Sequence, residues 1–222
     1  MPAGGNGPGC FRPYEAGNRR LEWRVQETCG GAVNLILLGG SFNPPHLGHL
    51  FLAEVLRVEL KCPRILFIPA NIPAHKTPPG SVTPAQRLRM VSLAIRGNPS
   101  LGVDDCEIRR GGVSYTIETV REIKDRLKLR EKPGLVLGDD LVESFHTWKD
   151  WESLCEEASI IVAGRQTVPV REPEFTHLPL RNLKIPVSSS DIRERVRTGG
   201  AFRYLVTENI YTYIKRHGLY AD

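Results

Sequence analysis

Two histidines three residues apart, His46 and His49, have the types and spacing to do chemistry. The apolar run at 35–38 before them is too short for a helix, so it predicts a buried strand. After them, apolar residues recur at helical spacing, in the series Leu47, Phe51, Val55 and Val58. The histidines would therefore lie at a helix N-terminus. There, imidazole donors and free backbone N–H groups could together bind the phosphates of a nucleoside triphosphate.

Two other interpretations of the histidine pair stay open at this point. Histidines three apart on a helix could bind a metal ion, although no third ligand is apparent nearby in the sequence. They could also be ordinary capping or surface residues. The glycine-rich turn at 39–40 and the stiffening residues Pro44 and Pro45 favour the anion site, because they would hold the donors in place before a ligand arrives.

Strand-like and helix-like segments alternate along the rest of the chain. The predicted strands are 35–38, 64–69, 103–108, 135–137, 160–163 and 183–187. The predicted helices begin near His46, Thr83, Ser114, Asp150, Ser188 and Thr207. This alternation predicts an α/β fold in which helices cover both faces of a parallel sheet. Ligands of such sheets bind beyond the carboxyl ends of the strands, where the loops at 39–49, 69–76, 138–148 and 188–193 would meet.

Composition narrows the class of protein. The 222 residues are 41% hydrophobic and 25% charged, which is typical of a globular domain and argues against disorder. No apolar stretch reaches the ~18 residues of a membrane-spanning helix, and no secretory signal is visible, so no membrane is expected as a partner. The five cysteines are scattered, which predicts a reducing, cytoplasmic setting. The basic residues behind the net charge of +5 are spread out, so nucleic acid is not an expected partner.

Residues 1–33 differ from the rest of the chain. They begin with a Gly- and Pro-rich stretch and continue without clear periodicity. We expect a disordered N-terminal extension without a role, or a start codon placed upstream of the true one. A single folded domain would occupy residues 34–222.

Two segments resemble the signatures of the nucleotidyltransferase superfamily. Segment 40–49, which ends in His-Leu-Gly-His, resembles its H-x-G-H signature. Segment 188–193, Ser-Ser-Ser-Asp-Ile-Arg, resembles its C-terminal S-[ST]-[ST]-x-[IL]-R element. Each follows a predicted strand and precedes a predicted helix, as that fold requires. The resemblance implies a Rossmann-like, doubly wound parallel sheet of the nucleotidyltransferase type over residues 34–222.

Further segments narrow the resemblance to the bacterial nicotinate-nucleotide adenylyltransferases. They are the P-x-x-x-P-x-H-K loop at 69–76, the R-R-G-G-x-S-Y-T-[IL] segment at 109–117, and the L-G-x-D element at 137–140 with the aromatic residues of 145–151. The tail at 204–220 is similar as well. One departure is Asn43, where many members carry Asp. Asn can still donate and accept hydrogen bonds, so no loss of function is expected.

The resemblance implies transfer of an adenylyl group from ATP to nicotinate mononucleotide, with release of pyrophosphate. His46 and His49 would hold the ATP phosphates and stabilise the transition state, and Arg193 would reach the β- and γ-phosphates; these three are the expected catalytic residues. The other expected ATP-binding residues are Gly40, Ser41, Phe42, Gly138, Asp139, Ser189 and Ser190. Capping for the two serines and a structural role for Asp139 are the alternatives. Mg²⁺ is expected with ATP, held by phosphate and water rather than by a metal site of the protein.

The residues expected at nicotinate mononucleotide are Asn43, Lys76, Tyr115, Thr116, Trp148 and Arg165. Backbone N–H groups at Tyr115 and Thr116 could bind the nicotinate carboxylate at a helix N-terminus and so reject the neutral amide. Trp148 would stack on the pyridine ring, with core packing as the alternative, and Trp151 is expected to be the more structural of the two. Lys76 could instead be a solvated charge. Arg109 and Arg110 are interpreted as solvated turn residues.

Two other functions stay open. An adenylyltransferase that prefers nicotinamide mononucleotide, or one that acts on pantetheine phosphate, would share the fold. A nucleotide-binding regulator would keep the site without turnover. The sequence has no Ser-His-Asp or Cys-His signature for a protein nucleophile, in agreement with a reaction that needs none. The expected partners are therefore ATP and nicotinate mononucleotide, and a homo-oligomer remains open.

Overall fold

The computed structural model describes residues 33–74, 82–164, 174–181 and 185–221. Its strands are β1 (Ile36–Gly40), β2 (Ile65–Pro69), β3 (Ile72–Pro73), β4 (Leu101–Val103), β5 (Val113–Ser114), β6 (Gly134–Gly138), β7 (Ser159–Gly164) and β8 (Leu178–Arg181). Its helices are α1 (Leu47–Glu59), α2 (Pro84–Ala94), α3 (Cys106–Arg110), α4 (Thr116–Leu127), α5 (Trp151–Glu157), α6 (Ser189–Arg197) and α7 (Glu208–His217). Short 3-10 turns lie at Asp139–Leu141, Phe145–Thr147 and Arg203–Leu205.

Six strands form one parallel sheet in the order β4-β2-β1-β6-β7-β8. The chain runs outward from β1 to β4, returns to the middle of the sheet at β6, and runs outward again to β8. This is the strand order of a doubly wound, Rossmann-like sheet, and it confirms the predicted fold class. The short strands β3 and β5 pair with each other in a separate two-stranded ladder.

The topological switch point of the sheet lies between β1 and β6. Backbone pairing joins Ile36 with Gly134 and Leu37 with Leu135, in the amino-terminal halves of the two strands. The same register brings the carboxyl ends of the strands, Gly40 and Gly138, level with each other. The loops that follow them lead to opposite faces of the sheet, which opens a crevice for ligands at this edge.

Alternate residues of the central strands pack into two separate cores, one on each face of the sheet. Around β1, Ile36 and Leu38 pack into the core under α1 and α2, whereas Leu35 and Leu37 pack into the core under α4 and α5. Because both faces are covered, the strands read as continuous apolar runs in the sequence. The two cores hold the switch point rigidly between them.

A third apolar cluster packs the last two helices against α2. Its fully buried members are Met90, Ile192, Ile210 and Ile214. This packing brings the end of the chain back to the sheet, where the hydroxyl of Tyr220 reaches the loop that follows β1. The C-terminal helices thus form one wall of the switch-point crevice.

Hydrogen bonds at two helix starts confirm the predicted boundaries. Thr83 caps α2, because its Oγ1 accepts from the backbone N–H of Gln86 at 3.2 Å. Ser188 caps α6, because its Oγ accepts from the backbone N–H of Asp191 at 3.0 Å. Thr207 lies at the N-cap of α7 as predicted, but its side chain makes no capping bond.

Two predicted strands are wrong. At 103–108, β4 ends at Val103, and Oδ1 of Asp104 accepts from the backbone N–H of Cys106 at 3.0 Å, which turns the chain into α3. At 183–187, the backbone N–H of Val187 bonds to the carbonyl of Ile185 at 2.7 Å in a tight local turn. The last strand of the sheet is instead β8. Residues 183–184 of that prediction lie outside the described ranges.

The predicted apolar face of α1 is also wrong. The residues that it buries are Leu52, Ala53 and Leu56, whereas Val58 is 56% exposed and Leu47 is 37% exposed. The helix carries two overlapping apolar stripes at helical spacing, and only packing against the sheet decides which one faces inward.

The predicted extension at 1–33 lies outside the described residues, apart from Val33, which is buried in the core. Within the described ranges, no helix is both long enough and apolar enough to cross a membrane.

Candidate active site

The loop between β1 and α1 folds back over the end of its own strand. Phe42 has a positive φ of 48° and is only 2% exposed. A Cβ on Gly40 would lie 3.0 Å from the Phe42 ring, which is closer than most packed side chains approach. The Phe42 ring also meets His49 edge-on, with 5.0 Å between ring centroids. The turn is therefore buried and fixed from both sides.

The two histidines form a stacked pair at the start of α1. His46 is the N-cap residue, and its backbone N–H donates to Nδ1 of His49 at 3.2 Å. Their ring centroids lie 3.8 Å apart. Because Nδ1 of His49 accepts a hydrogen bond, the ring proton of His49 lies on Nε2. The arrangement makes the outer edge of the His49 ring a hydrogen-bond donor.

Gly48 leaves room for this histidine pair. A Cβ at this position would lie 3.0 Å from Nδ1 of His46 and 3.2 Å from Cγ1 of Val187. Both contacts are closer than packed side chains normally tolerate. The glycine between the histidines thus lets the segment before α6 approach the start of α1.

The loop after β1 is held by long-range hydrogen bonds from α2, α6 and the chain end. Arg87 Nη1 donates to the Ser41 carbonyl at 2.9 Å, and Arg193 Nη1 donates to the Asn43 carbonyl at 2.7 Å. Ser189 Oγ donates to the Pro44 carbonyl at 2.8 Å, and the Tyr220 hydroxyl donates to Asn43 Oδ1 at 2.7 Å. Two of these bonds join the segment at 40–49 to the segment at 188–193. The structure therefore brings together the two segments that the sequence singled out.

Arg193 carries its positive charge at this junction. Its Nη2 donates to Oγ of Ser190 at 2.9 Å, and within the described residues it forms no ion pair with a carboxylate. Burial lowers the pKa of Arg193, and the nearby Tyr220 partly offsets that effect. The hydroxyls of Ser189 and Ser190 bind Pro44 and Arg193, so the capping alternative applies to Ser188 instead.

Arg87 is a site residue that the sequence did not reveal. It is 1% exposed, and its Nη2 donates to the Asn71 carbonyl at 2.9 Å while Nη1 holds Ser41. Burial lowers the pKa of Arg87, opposed by Tyr220 and Glu107. A charge four residues before Val91, on the apolar face of α2, was the signal that could have identified it.

Arg87 also links the site to the two-stranded ladder. The carbonyl of Asn71 accepts the hydrogen bond from Arg87. The backbone N–H of Asn71 donates to Oγ of Ser114 at 2.9 Å, and its Nδ2 donates to the Gly112 carbonyl at 2.8 Å. The loop after β2 and the segment before α4 are thus tied to the loop after β1.

The loop after β6 faces the histidine loop across the switch point. Gly138 ends β6, and Asp139 is 5% exposed at the start of a 3-10 turn. A buried carboxylate at this place can accept a hydrogen bond from a ligand or serve the fold alone. The structure therefore places Gly138 and Asp139 at the predicted edge and leaves both interpretations of Asp139 standing.

The start of α4 meets the turn that carries Trp148. The ammonium of Lys149 lies 4.5 Å from the centroid of the Tyr115 ring and 2.7 Å from a carboxylate oxygen of Glu118. Thr116 is the first residue of α4. Tyr115, Thr116 and Trp148, which the sequence assigns to the acceptor nucleotide, therefore belong to one neighbourhood.

Both tryptophans of this region are half-buried and pack edge-on against Phe145. The ring centroids of Trp148 and Trp151 lie 5.3 Å and 6.2 Å from that of Phe145. Packing against Phe145 thus explains part of the burial of each tryptophan. Stacking of Trp148 on a ligand stays a prediction.

Arg109 and Arg110 are not solvated turn residues, so that interpretation is wrong. They end α3, and both guanidinium groups bind the carboxylate of Glu122, at 2.6 Å and 2.7 Å. Arg110 also donates to Oγ1 of Thr119 at 2.8 Å. The pair fixes α3 against α4, the helix that begins at Thr116.

Two predicted acceptor-side residues, Lys76 and Arg165, lie outside the described ranges. In the part of the chain that the structure describes, no group of three or more His, Cys, Asp or Glu residues could hold a metal ion.

Known proteins resemble this chain over most of its length. Residues 37–195 match the cytidylyltransferase-like family. A Borreliella burgdorferi protein named "Probable nicotinate-nucleotide adenylyltransferase" is 37% identical over 188 residues, covering 85% of this chain and 97% of that protein. A Thermus thermophilus protein of the same name is 38% identical over 185 residues, covering 83% and 97%. The fold is shared with Plasmodium falciparum nicotinic acid mononucleotide adenylyltransferase, which was solved in complex with NaAD. The TM-score is 0.67 at 18% identity, and the match covers 85% of this chain and 97% of that chain.

Proposed function

The chain belongs to the cytidylyltransferase-like family and, within it, to the nicotinate-nucleotide adenylyltransferases, and from this premise we propose its reaction. It transfers the adenylyl group of ATP to nicotinate mononucleotide, giving nicotinate adenine dinucleotide and pyrophosphate in NAD biosynthesis. One structural observation carries the proposal. The segments at 40–49 and 188–193 are joined at the switch point by the Arg193–Asn43 and Ser189–Pro44 hydrogen bonds.

The chemistry requires positioning and charge stabilisation rather than a protein nucleophile. A phosphate oxygen of nicotinate mononucleotide attacks the α-phosphorus of ATP, and the bond from that phosphorus to the bridging oxygen of the β-phosphate breaks. The nucleophile is already ionised at neutral pH, so no general base is needed. Pyrophosphate leaves with the electron pair of the broken bond.

The ATP side of the site supplies fixed donors. The Nε2–H of His49, with His46 beside it at the start of α1, would bind the α-phosphate and stabilise the charge that develops there. Arg193 would bind the β- and γ-phosphates with the N–H groups that do not hold Asn43 and Ser190. Gly40, Ser41 and Phe42 would line the phosphate loop, Ser189 and Ser190 would support the phosphates, and Gly138 and Asp139 would meet the ribose.

We propose MgATP as the nucleotide substrate, with the ion bound by phosphate oxygens and water. The residues expected at the triphosphate, His49 and Arg193, offer nitrogen donors to phosphate oxygens, whereas Mg²⁺ prefers oxygen ligands, which the phosphates and water supply. The ion would neutralise charge on the leaving pyrophosphate.

The acceptor side would recognise a carboxylate. Backbone N–H groups at Tyr115 and Thr116 begin α4, where the helix dipole favours an anion. Trp148 would stack on the pyridine ring, and Asn43, Lys76 and Arg165 would bind the rest of the mononucleotide.

We place the reaction in the cytoplasm, since Cys62, Cys106 and Cys155 are free thiols, as a reducing compartment favours.

Pyrophosphate release with ATP and each of two acceptors tests the proposal. We expect turnover with nicotinate mononucleotide and a rate at least about tenfold lower with nicotinamide mononucleotide, because the amide lacks the charge that the start of α4 favours. No release with either acceptor would contradict the enzymatic function. A higher rate with the amide would contradict carboxylate recognition and support the alternative acceptor.

A further inference from the structure

The loops after β1 and β2 leave the sheet side by side, at the edge where the substrates would bind. Gly40 pairs with Pro69 in the ladder, and the backbone N–H of Ala70 donates to the Gly40 carbonyl at 2.9 Å. The next carbonyls on the two loops, those of Ser41 and Asn71, are both hydrogen-bond acceptors and cannot bind each other. Joining the two loops beyond this point therefore requires a donor group between them.

Arg87 supplies that donor from the first turn of α2. Its Nη1 donates to the Ser41 carbonyl and its Nη2 donates to the Asn71 carbonyl, each at 2.9 Å. The guanidinium group is planar and rigid, so the spacing of its two terminal nitrogens sets the separation of the two carbonyls. Because Arg87 is only 1% exposed, water does not compete for these hydrogen bonds.

A buried carboxylate supports the guanidinium from α3. Burial lowers the pKa of Arg87, and electrostatic interactions with Tyr220 and Glu107 oppose that effect. Glu107 is itself 7% exposed, and its Oε1 accepts from Oγ1 of Thr119 on α4 at 2.7 Å. The guanidinium thus keeps its charge, and charged donors form stronger hydrogen bonds than neutral ones.

The hydrogen bonds continue from the loop after β2 to the start of α4. The backbone N–H of Asn71 donates to Oγ of Ser114 at 2.9 Å, and its Nδ2 donates to the Gly112 carbonyl at 2.8 Å. Ser114 directly precedes the start of α4, which the proposed function assigns to the acceptor. Ser41 lies in the loop assigned to ATP. Arg87 is therefore the central member of a bridge between the two sides of the site.

We propose that Arg87 is a positioning residue of the adenylyl transfer, which aligns the acceptor with ATP by holding the Ser41 and Asn71 carbonyls at a fixed separation. This inference rests on the proposed function and deepens it. Arg87 itself touches neither substrate. Its contribution is to the distance and angle between the attacking phosphate oxygen and the α-phosphorus, on which the rate of an in-line transfer depends steeply.

The variant Arg87→Lys tests this role, because it keeps the positive charge and removes the rigid fork. We expect kcat at saturating substrates to fall about 10- to 100-fold, since small misplacements of reacting atoms cost that much. The dissociation constants of ATP and of nicotinate mononucleotide, each titrated alone by calorimetry, should change less than about threefold, because each side keeps its own binding groups. An unchanged kcat, or losses of affinity as large as the loss of kcat, would overturn the proposal.

Ile95→Ala is the matched control for a merely structural effect. Ile95 ends the same helix and is 8% exposed in the core under α1 and α2, so the change loosens α2 without touching either carbonyl. At a temperature at which thermal unfolding shows both variants to be folded, Ile95→Ala should keep kcat within about twofold. A loss of kcat equal to that of Arg87→Lys would overturn the proposal.

A second variant cuts the bridge without altering the buried arginine. Asn71→Ala combined with Ser114→Ala removes both side-chain links from the loop after β2 to the segment before α4. We expect kcat to fall about tenfold with the affinity for ATP unchanged. If Arg87 acts through this bridge, the two losses should not multiply when Arg87→Lys is added. Fully multiplicative losses, or an unchanged kcat in the double variant, would overturn the proposal.

Failure of this inference can be told apart from failure of the proposed function. An unaltered protein that releases no pyrophosphate with ATP and nicotinate mononucleotide would contradict the proposed function. An active protein whose Arg87→Lys variant keeps its kcat would contradict this inference alone.

Discussion

Nδ1 of His49 accepts a hydrogen bond from the backbone N–H of His46 at 3.2 Å, and this places the ring proton on Nε2. The stacked His46 ring and the edge of Phe42 hold the imidazole in that orientation. A donor that is fixed before the substrate arrives needs no reorganisation when charge develops on the phosphate. At the scale of single residues, His49 is thus suited to stabilise a transition state rather than to remove a proton.

His49→Ala should reduce turnover much more than ATP binding. We expect kcat to fall by about two to three orders of magnitude, because the lost donor acts mainly on charge that develops in the transition state. ATP affinity should fall by no more than about tenfold, the value of one hydrogen bond. Steady-state kinetics and a titration with ATP measure the two effects. The control is His217→Ala, which removes a histidine at the exposed end of α7. Equal losses of kcat and of ATP affinity in His49→Ala would indicate a merely structural role for His49.

At the scale of elements, the site depends on how closely the start of α1 meets the segment before α6. Gly48 sits at that contact, between the His46 ring and Val187. Hydrogen bonds from Ser189 and Arg193 to Pro44 and Asn43 then close the junction. The N-termini of α1 and α6 thereby lie at the same edge of the sheet, where their dipoles would favour the phosphates of the proposed substrate.

Gly48→Ala should lower activity with little effect on stability. Alanine is the better helix former, but its Cβ would lie 3.0 Å from the His46 ring and must displace it by a few tenths of an ångström. We expect kcat to fall about tenfold, while the free energy of unfolding changes by less than about 1 kcal/mol. Gly200→Ala is the matched control, since its Cβ would meet only ordinary contacts with Arg195 at 3.5 Å. An active Gly48→Ala variant would show that the close approach is not required.

At the scale of the whole molecule, each of the two cores that support the switch point contains a buried thiol. Cys106 is fully buried on one face of the sheet, and burial, with Asp104 nearby, raises its pKa far above the ordinary value. Cys62 is buried on the other face, where burial also raises its pKa. Folding therefore keeps both thiols protonated at pH values where the unfolded chain would lose those protons.

Stability should fall in mildly alkaline solution. Above the unfolded thiol pKa of about 8.5, the unfolded chain releases protons that the folded chain retains, so the free energy of unfolding decreases by up to about 1.4 kcal/mol per pH unit for each buried thiol. Urea unfolding under reducing conditions at pH 8 and pH 10 measures the slope. Cys106→Ala should show a smaller slope than the unaltered protein. Cys155→Ala, which removes a half-buried thiol, serves as the comparison. Parallel slopes for Cys106→Ala and the unaltered protein would contradict this account.

Local patterns predicted much of the sheet and several helix starts. The apolar runs around Leu37 and Leu66 predicted buried strands, Thr83 predicted a helix N-cap and Ser188 predicted a helix start, because these signals depend on residues close in sequence. The strand at 103–108 and the buried face of α1 were wrong, because a side-chain bond from Asp104 and packing on the sheet overrode the apolar pattern.

The sequence by itself determined the alternation of strands and helices, the two signature segments and the histidine pair, since periodicity and short motifs are local properties of a chain, and the family resemblance implied the doubly wound class. Only the tertiary structure decided that Arg87 and Tyr220 belong to the site. Their bonds to Ser41 and Asn43 span 46 and 177 residues and exist only because α2 and α7 pack together beside the sheet. Hydrogen bonds between distant segments have no periodicity to reveal them, so the residues that hold the loop after β1 emerge only when the cores have formed.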